Sequence, residues 1–293
     1  PWNDRHRAIH KGKYCIDLDW SAFFDQILMD PDVRNFFAFK GQDGKTYRMK
    51  VMPMGLKHSV PIAQYASLML VNFGPTCYIE VYIDNVRLIS EDVSTLVRDT
   101  ATLLMRCAHV GVTINDVNLT AIINAPNEDS KRQAAESIAA GLIKTEGPWL
   151  GEHYNYASKE ISLTGKTRTK VQRCSDSSAP TFRNLAAVFG ILQYASRTMG
   201  LPLAKYYAAR RAASAIAWLL EGFETLWDKV APPLCKSVLS NIEIWKSDIL
   251  ASPPRVVQTG GFPDLIIITD ASGSGWGAIS FDEYDREAFA KHD

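Results

Sequence analysis

The 293-residue chain lacks several features that would settle its class at once. Its longest apolar runs are interrupted by Gly, Pro or a charge, so no stretch reaches the roughly eighteen residues of a membrane-crossing helix, and no membrane partner is expected. Its five cysteines (Cys15, Cys77, Cys107, Cys174 and Cys235) include no Cys-x-x-Cys pair, so their spacing spells neither a zinc cage nor a disulfide framework. Reduced thiols and an intracellular setting, in cytoplasm or nucleus, are the expectation. There are no repeats and no low-complexity tracts. A content of 46% hydrophobic and 22% charged residues excludes a disordered chain and is enough for one large domain or two to three small ones.

There is also no net charge, which taken alone argues against a nucleic-acid partner. The zero is a cancellation. Between Gly165 and Ala215 stand nine basic residues (Lys166, Arg168, Lys170, Arg173, Arg183, Arg197, Lys205, Arg210 and Arg211) against the single acid Asp176, a local net of +8. Between Phe262 and Asp293, seven acids face two basic residues, a local net of −5. The basic density suits phosphate binding, although interleaved apolar residues at helical spacing also allow a plain solvated helix face.

Tyr14–Asp19 (YCIDLD) reads as a strand and Trp20–Met29 as a short aromatic turn or helix. Phe36–Lys40 and Gly44–Met52 suggest a hairpin, followed by a turn at Pro53–Gly55. Ser59–Phe73 has helical periodicity with Pro61 near its start. Cys77–Asp84 and Val86–Ile89 read as a hairpin with the acid at its tip, and Ser90 as the N-cap of a helix closed by Gly111. The order strand–helix–strand–strand–helix–strand predicts an α+β unit of ferredoxin type. From Thr181 to about Leu250 the pattern is helical, and Ser252–Phe262 is the best linker candidate.

Two of these strands end in acids: Asp17 and Asp19 on the first, Asp84 at the hairpin tip. Neighbouring carboxylates repel unless a cation lies between them, so a magnesium site for phosphoryl transfer competes here with solvated strand ends. Strand alternation puts Asp17 and Asp19 on one face and does not choose between them.

At these residues the chain resembles a known family. Asp19–Ile27 (DWSAFFDQI) is similar to the first catalytic palm motif of reverse transcriptases, Met52–Leu56 (MPMGL) to the following M-P-x-G-L turn, and Val81–Val86 (VYIDNV) to the Y-x-D-D hairpin. Gly111–Asn115 (GVTIN) resembles the G-L-x-L-N segment and Trp149–Glu152 (WLGE) the primer-grip turn. Thr181–Leu203 resembles the thumb-to-connection helices of retroelements that move by a tyrosine recombinase, Thr269–Ala278 (TDASGSGWGA) the opening of their ribonuclease H domain, and the F-D-Q variant of the first motif their trypanosomatid branch.

The resemblance implies a right-hand polymerase: palm with a remnant of fingers over 1–148, primer grip, thumb and connection over 149–251, and the beginning of a ribonuclease H-like α/β domain over 262–293. It implies an RNA-directed DNA polymerase with two Mg²⁺ ions, Mn²⁺ being the alternative, held by Asp19 and Asp84, and it leaves Asp17 structural. Asn85 stands where the family has a second hairpin acid, which puts activity in question. Phe24 would exclude the 2′-hydroxyl of a ribonucleotide, Met54 and Gly55 would line the dNTP pocket, and Gln64 would face the template. Trp149 and Gly151 at the primer grip, with Lys166, Arg168, Lys170, Arg183, Arg197, Arg210 and Arg211 on the thumb, would hold an RNA template, a DNA primer and their RNA–DNA hybrid. Core, turn or helix-surface roles are the alternatives for Phe24, Met54, Gly55, Gln64 and Trp149.

Eighteen residues before Asp19 are too few for fingers, so a missing segment or a partner protein is expected to supply them; Arg5, Arg7, Lys11 and Lys13 are available as substitutes for the triphosphate clamp, but their spacing marks none of them and a basic arm is the plain reading. Asp270 matches the first ribonuclease H acid, but Glu283 and Glu287 follow too soon to complete that site, so this chain is expected to be a piece of a longer protein that does not cleave a hybrid by itself. A decayed or domesticated descendant, inactive and serving as a nucleic-acid-binding or structural subunit of a ribonucleoprotein, is the rival expectation. An RNA-directed RNA polymerase fits Phe24 and the TDAS segment poorly.

Overall fold

A computed structural model describes residues 2–174, 180–258, 266–272 and 275–281. The chain divides into two units, 1–257 and 258–293, a boundary inside the expected linker.

The first unit opens with α1 (Trp2–Arg7), β1 (Tyr14–Asp19) and the single turn α2 (Phe23–Gln26), then a small hairpin of β2 (Ala38–Lys40) and β3 (Thr46–Arg48). Helix α3 (Ser59–Val71) leads into the hairpin β4 (Tyr78–Tyr82) and β5 (Asn85–Ser90), followed by α4 (Val93–Val110), α5 (Thr120–Ile123) and α6 (Glu128–Gly141). These strands form an antiparallel sheet in the order β1-β5-β4. On the free edge of β1, Cys15 exchanges backbone hydrogen bonds of 2.8 and 2.9 Å with Lys144. That single bridge stands where the ferredoxin-type order places a fourth strand. Residues Val86–Ser90 of β5 are all buried, as a central strand covered on both faces must be. Ile16, Leu18, Val86 and Leu88 meet Leu96, Leu103, Leu104 and Cys107 of α4 in one core.

Helix α4 corrects an expected cap. Ser90 ends the strand, and Asp92, extended at φ −104° and ψ 123°, caps the helix by accepting from Thr95 N at 2.8 Å. Ser94, then Thr95, hydrogen-bond the same carboxylate and hold it well below the usual carboxylate range.

A second antiparallel sheet follows: β6 (Glu146–Trp149), β7 (Glu152–Asn155), β8 (Glu160–Leu163) and the short β9 (Arg255–Val256), in that order. Helices α7 (Gly165–Arg173), α8 (Phe182–Met199), α9 (Tyr207–Gly222) and α10 (Lys236–Ala251) surround a separate core of Leu192, Tyr206, Trp245 and Ile249. The expected helical stretch is therefore three helices, broken after Gly200 (φ +70°) and between Phe223 and Cys235.

Two buried charges join sheets and helices. Arg87 of β5 is fully buried; it pairs with Asp17 through two hydrogen bonds of 2.5 and 2.8 Å, donates to Tyr156 and to the Pro148 carbonyl, and lies 4.7 Å from the Trp149 ring centre. Asp17 is thus structural. Glu152 of β7, also fully buried, accepts from Arg5 (2.7 Å), Tyr154 (2.7 Å) and Thr198 (2.7 Å) and bonds His6 Nε2 (3.0 Å). Burial pushes this carboxyl up, but the His6 hydrogen bond and the Arg5 charge outweigh it and hold it below its ordinary value. His6 Nδ1 meets Arg255 Nη2 at 2.6 Å, the pairing of an Nε2–H tautomer that donates to Glu152.

The second unit, by itself, contributes an antiparallel hairpin of β10 (Ile266–Ser272) and β11 (Gly275–Phe281) with Asp270 opposite Gly277.

Removing one side of a buried charge cluster strands the other. Glu152→Ala is expected to lower the unfolding free energy by about 3–5 kcal/mol, measured by urea denaturation, whereas Glu128→Ala in the exposed pair Lys131–Glu128 leaves it nearly unchanged.

Candidate functional site

The register of β1 and β5 places Asp19 directly opposite Asn85, with Asp84 beside it in the two-residue turn Ile83–Asp84. Tryptophan 20, immediately after Asp19, donates its backbone N–H to the Asp84 carbonyl at 2.8 Å, tying the two acidic segments together. The turn is strained: Ile83 adopts φ +57°, a left-handed conformation unfavourable for a β-branched residue. Helix α3 holds it there. Its buried stripe of Ser59, Ala63 and Ser67, four residues apart, is small enough for close approach. Gln64 accepts from Ile83 N (2.8 Å) and donates to Val81 O (3.3 Å), while Ser67 donates to Ile83 O and accepts from the Trp20 ring N–H at 2.9 Å. Gln64, expected to face a template, has its amide committed to the hairpin instead.

Asp19 is exposed at the end of β1. Asn115 grips it twice, donating its side-chain amide to Asp19 Oδ2 (2.9 Å) and its backbone N–H to the Asp19 carbonyl (2.8 Å). Asn85 donates its amide to Asp84 Oδ1 at 2.8 Å, and its side-chain oxygen is a neutral acceptor where a carboxylate would carry charge. A cleft of about 200 Å³ is lined by Asp19, Asn85, Asn115, Asp116, Lys144 and Leu150. Asp19, Asp84 and the Asn85 side-chain amide are neighbours in the register, and carboxylate and amide oxygens are the ligand types that hard cations such as Mg²⁺ or Mn²⁺ take. Among the described residues no three His, Cys, Asp or Glu side chains gather as metal ligands; the residue next to Asp84 and opposite Asp19 is Asn85.

Residues 150–151 join β6 to β7 through two consecutive positive φ angles, +49° at Leu150 and +90° at Gly151, the backbone of a tight hairpin turn. Tyr194 of α8 donates to the Leu150 carbonyl at 2.6 Å, and Thr164 and Thr167 donate to that of Gly151. A Cβ on Gly151 would meet the Tyr194 hydroxyl at 3.0 Å, so this glycine is fixed by conformation and by crowding. Trp149, offered as a sugar contact, is buried under Arg87 and packs in the core.

The remaining candidates separate by partner. Phe24 is half-buried against the core of the first sheet. Met54 and Gly55 (φ +87°) are exposed, with nothing near the glycine. Arg168 is not a free thumb cation: it donates to the carbonyls of Leu250 and Ser252, pinning α7 to α10. Arg183 pairs with Asp228 and lies over the Trp227 ring. Arg5, a suggested triphosphate clamp, is engaged by Glu152. Lys166, Lys170, Arg197, Arg210 and Arg211 are exposed, spread over three helices rather than along one. Asp270 lies on β10, and its side chain is outside the described set. Sequence reasoning missed Asn115, Ser67 and Glu152; only the polar residue inside the otherwise apolar GVTIN segment offered a signal.

Comparison with known proteins gives a partial sequence match and a shared fold. Residues 3–135 match the reverse transcriptase (RNA-dependent DNA polymerase) family. A segment of 97 residues is 33% identical to the Gag-Pol polyprotein of Walleye dermal sarcoma virus, covering 32% of this chain and 6% of that polyprotein. The fold is that of a polymerase. Foamy viral protease–reverse transcriptase in complex with double-stranded DNA superposes with a TM-score of 0.56 over 95% of this chain and 54% of that one at 16% identity. The same enzyme in complex with an RNA/DNA hybrid superposes with a TM-score of 0.57 over 97% of this chain and 38% of that one at 15% identity. The chain thus spans about half or less of the length of these relatives.

Glu80 of β4 lies across from Arg87 in register, yet one of its carboxyl oxygens is buried with no hydrogen-bond partner among the described residues. Burial pushes its pKa up to about 7, the Arg87 charge opposing this in some measure. The folded chain therefore binds this proton more tightly than the unfolded chain, whose carboxyl has the ordinary value of 4.5, and the resulting stability is lost as pH rises from 4.5 through about 7. Compared with Glu80→Gln, the natural chain is expected to lose about 2–3 kcal/mol across that window, read from urea denaturation at each pH.

Proposed function

We propose that this chain is the palm and thumb of an RNA-directed DNA polymerase, extending the 3′-hydroxyl of a DNA primer with dNTPs on an RNA template. One observation carries the reading: the β1–β5 register sets Asp19 against Asn85 in a cleft that Leu150 of the second hairpin also lines, and Asp84 precedes Asn85 in the adjoining turn. Asp19 and Asp84, with the Asn85 carbonyl as a neutral third donor, would hold the divalent ions. When bound, such ions lower the pKa of an attacking hydroxyl and neutralise a leaving pyrophosphate. The chain's own residues do the placing. Asn115 orients Asp19, Gln64 and Ser67 fix the turn that carries Asp84, and Phe24 would close the space a 2′-hydroxyl needs.

The hybrid would follow the groove between α7 and α8, lined by Lys170, Arg173, Gly190, Ile191 and Tyr194. The exposed Lys166, Arg197, Arg210 and Arg211 add positive charge that tracks phosphates without reading bases. Within this reading, residues 1–148 form the palm, 149–251 the primer grip, thumb and connection, and 262–293 the start of a ribonuclease H-like domain carrying Asp270. The segments Thr181–Leu203 and Thr269–Ala278 favour a retroelement that moves by a tyrosine recombinase, in the trypanosomatid branch, as the source.

A second reading, an inactive nucleic-acid-binding subunit of a ribonucleoprotein, is favoured by one observation: Asn85 supplies no charge and ties its amide to Asp84. Primer extension on an oligo(dT)-primed RNA template separates the two. Under the polymerase reading, extension with Mg²⁺ or Mn²⁺ falls by about 10²–10³-fold in Asp84→Asn, and Asn85→Asp raises it. Salt-sensitive binding to the hybrid without extension, in the natural chain and in Asn85→Asp alike, would leave the second reading standing. In an active chain, Phe24→Val is expected to admit ribonucleotides that the natural chain rejects, scored by the ratio of rNTP to dNTP incorporation.

A further inference from the structure

Helix α9 carries a face that neither the core nor the catalytic cleft uses. Its buried side is conventional: Ala209 and Leu220 are buried, and Ala212, Ala213, Ile216 and Leu219 pack against the helical core. The opposite side follows from the helical repeat. Tyr207 and Trp218, eleven residues apart, are three turns apart and fall within about 20° of one another around the axis, with Ser214 between them and Arg210 and Arg211 flanking.

Both rings are well out in solvent, Tyr207 at 66% and Trp218 at 74% exposure, and both arginines are exposed. The salt bridges among the described residues include neither arginine. A solvated helix face ordinarily carries lysines and glutamates of both signs; on α9 the exposed charges are Arg210, Arg211 and, at the far end, Glu221. Two uncovered rings separated by small residues and flanked by cations form a stacking platform with counter-charge for a polyanion.

We propose that this face of α9 binds single-stranded nucleic acid, with bases stacked on Tyr207 and Trp218 and phosphates held by Arg210 and Arg211. The choice of a single strand follows from the rings: a duplex offers phosphates to the arginines but keeps its bases paired and stacked, out of reach of Tyr207 and Trp218. The rings stand about 16 Å apart along the axis, the span of about five nucleotides at a stacked rise of about 3.4 Å. This site goes beyond the polymerase reading and does not need catalysis.

The test is therefore read by binding alone. Fluorescence anisotropy, in EDTA so that no extension occurs, follows a labelled oligo(U) of about twelve nucleotides and a blunt RNA–DNA hybrid of the same length. Trp218→Ala and Tyr207→Ala are each expected to weaken oligo(U) binding about tenfold and leave the hybrid unchanged, and Trp218→Phe to restore most of the loss. Arg211→Ala is expected to weaken both ligands and flatten the salt dependence. Equal losses on hybrid and single strand in Trp218→Ala or Tyr207→Ala, or no loss on oligo(U) in either, overturn the proposal. So does sedimentation showing that Trp218→Ala dissociates an oligomer, because the face would then be a protein contact. None of these outcomes depends on primer extension, so failure here and failure of the polymerase reading remain distinct.

Discussion

The carboxylate of Glu152 is the point on which the first unit depends. A buried anion is tolerated only when its oxygens are filled, and here they receive groups from three elements: Arg5 and His6 from α1, Tyr154 from its own strand, and Thr198 from α8. Through His6 the same cluster reaches Arg255 on β9. The two ends of the unit 1–257 are thereby joined at one side chain, and the hairpin that carries it borders the cleft beside Asp19. Arg87 is the complementary charge, a cation sealed among Asp17, Tyr156 and the Pro148 carbonyl. Together these two charges fix the place of the second sheet against the first with a directionality that apolar packing does not supply.

Much of the first sheet was legible because its signals are local. Alternation marks YCIDLD and the β-branched run in CYIEVYID, and a hairpin with an acid at its tip follows from the chain order. Helix α4 was legible in extent, with its cap misplaced by two residues, because Ser90 and Asp92 are both competent caps and only the backbone angles select between them. The second sheet was not legible beyond its turn. Strand β6 contains Gly147 and Pro148, β7 contains Glu152 at a buried position, and β9 is two residues long; each contradicts strand propensity, and long-range pairing overrides it.

The site divides in the same way. Asp19, Asp84 and Asn85 stand in recognisable motifs, and the register brings them together. What positions them was hidden, since Asn115, Gln64 and Ser67 act over separations of 16 to 96 residues that no periodicity encodes. Basic residues were the least readable: a count of charges does not reveal that Arg168 caps carbonyls at the end of α10, that Arg183 belongs to Asp228, or that Arg5 is sealed against Glu152.

The left-handed Ile83 has a dynamic consequence. A turn that its own residues do not favour keeps its shape only while Gln64 and Ser67 are presented by an intact α3, so the hairpin has no independent memory of its conformation. Opening one turn of that helix releases the acid tip even though both cores remain folded. The fraction of molecules with an assembled centre is then set by a local opening equilibrium, whose free energy is smaller than that of global unfolding, and amide exchange along residues 62–67 measures it directly.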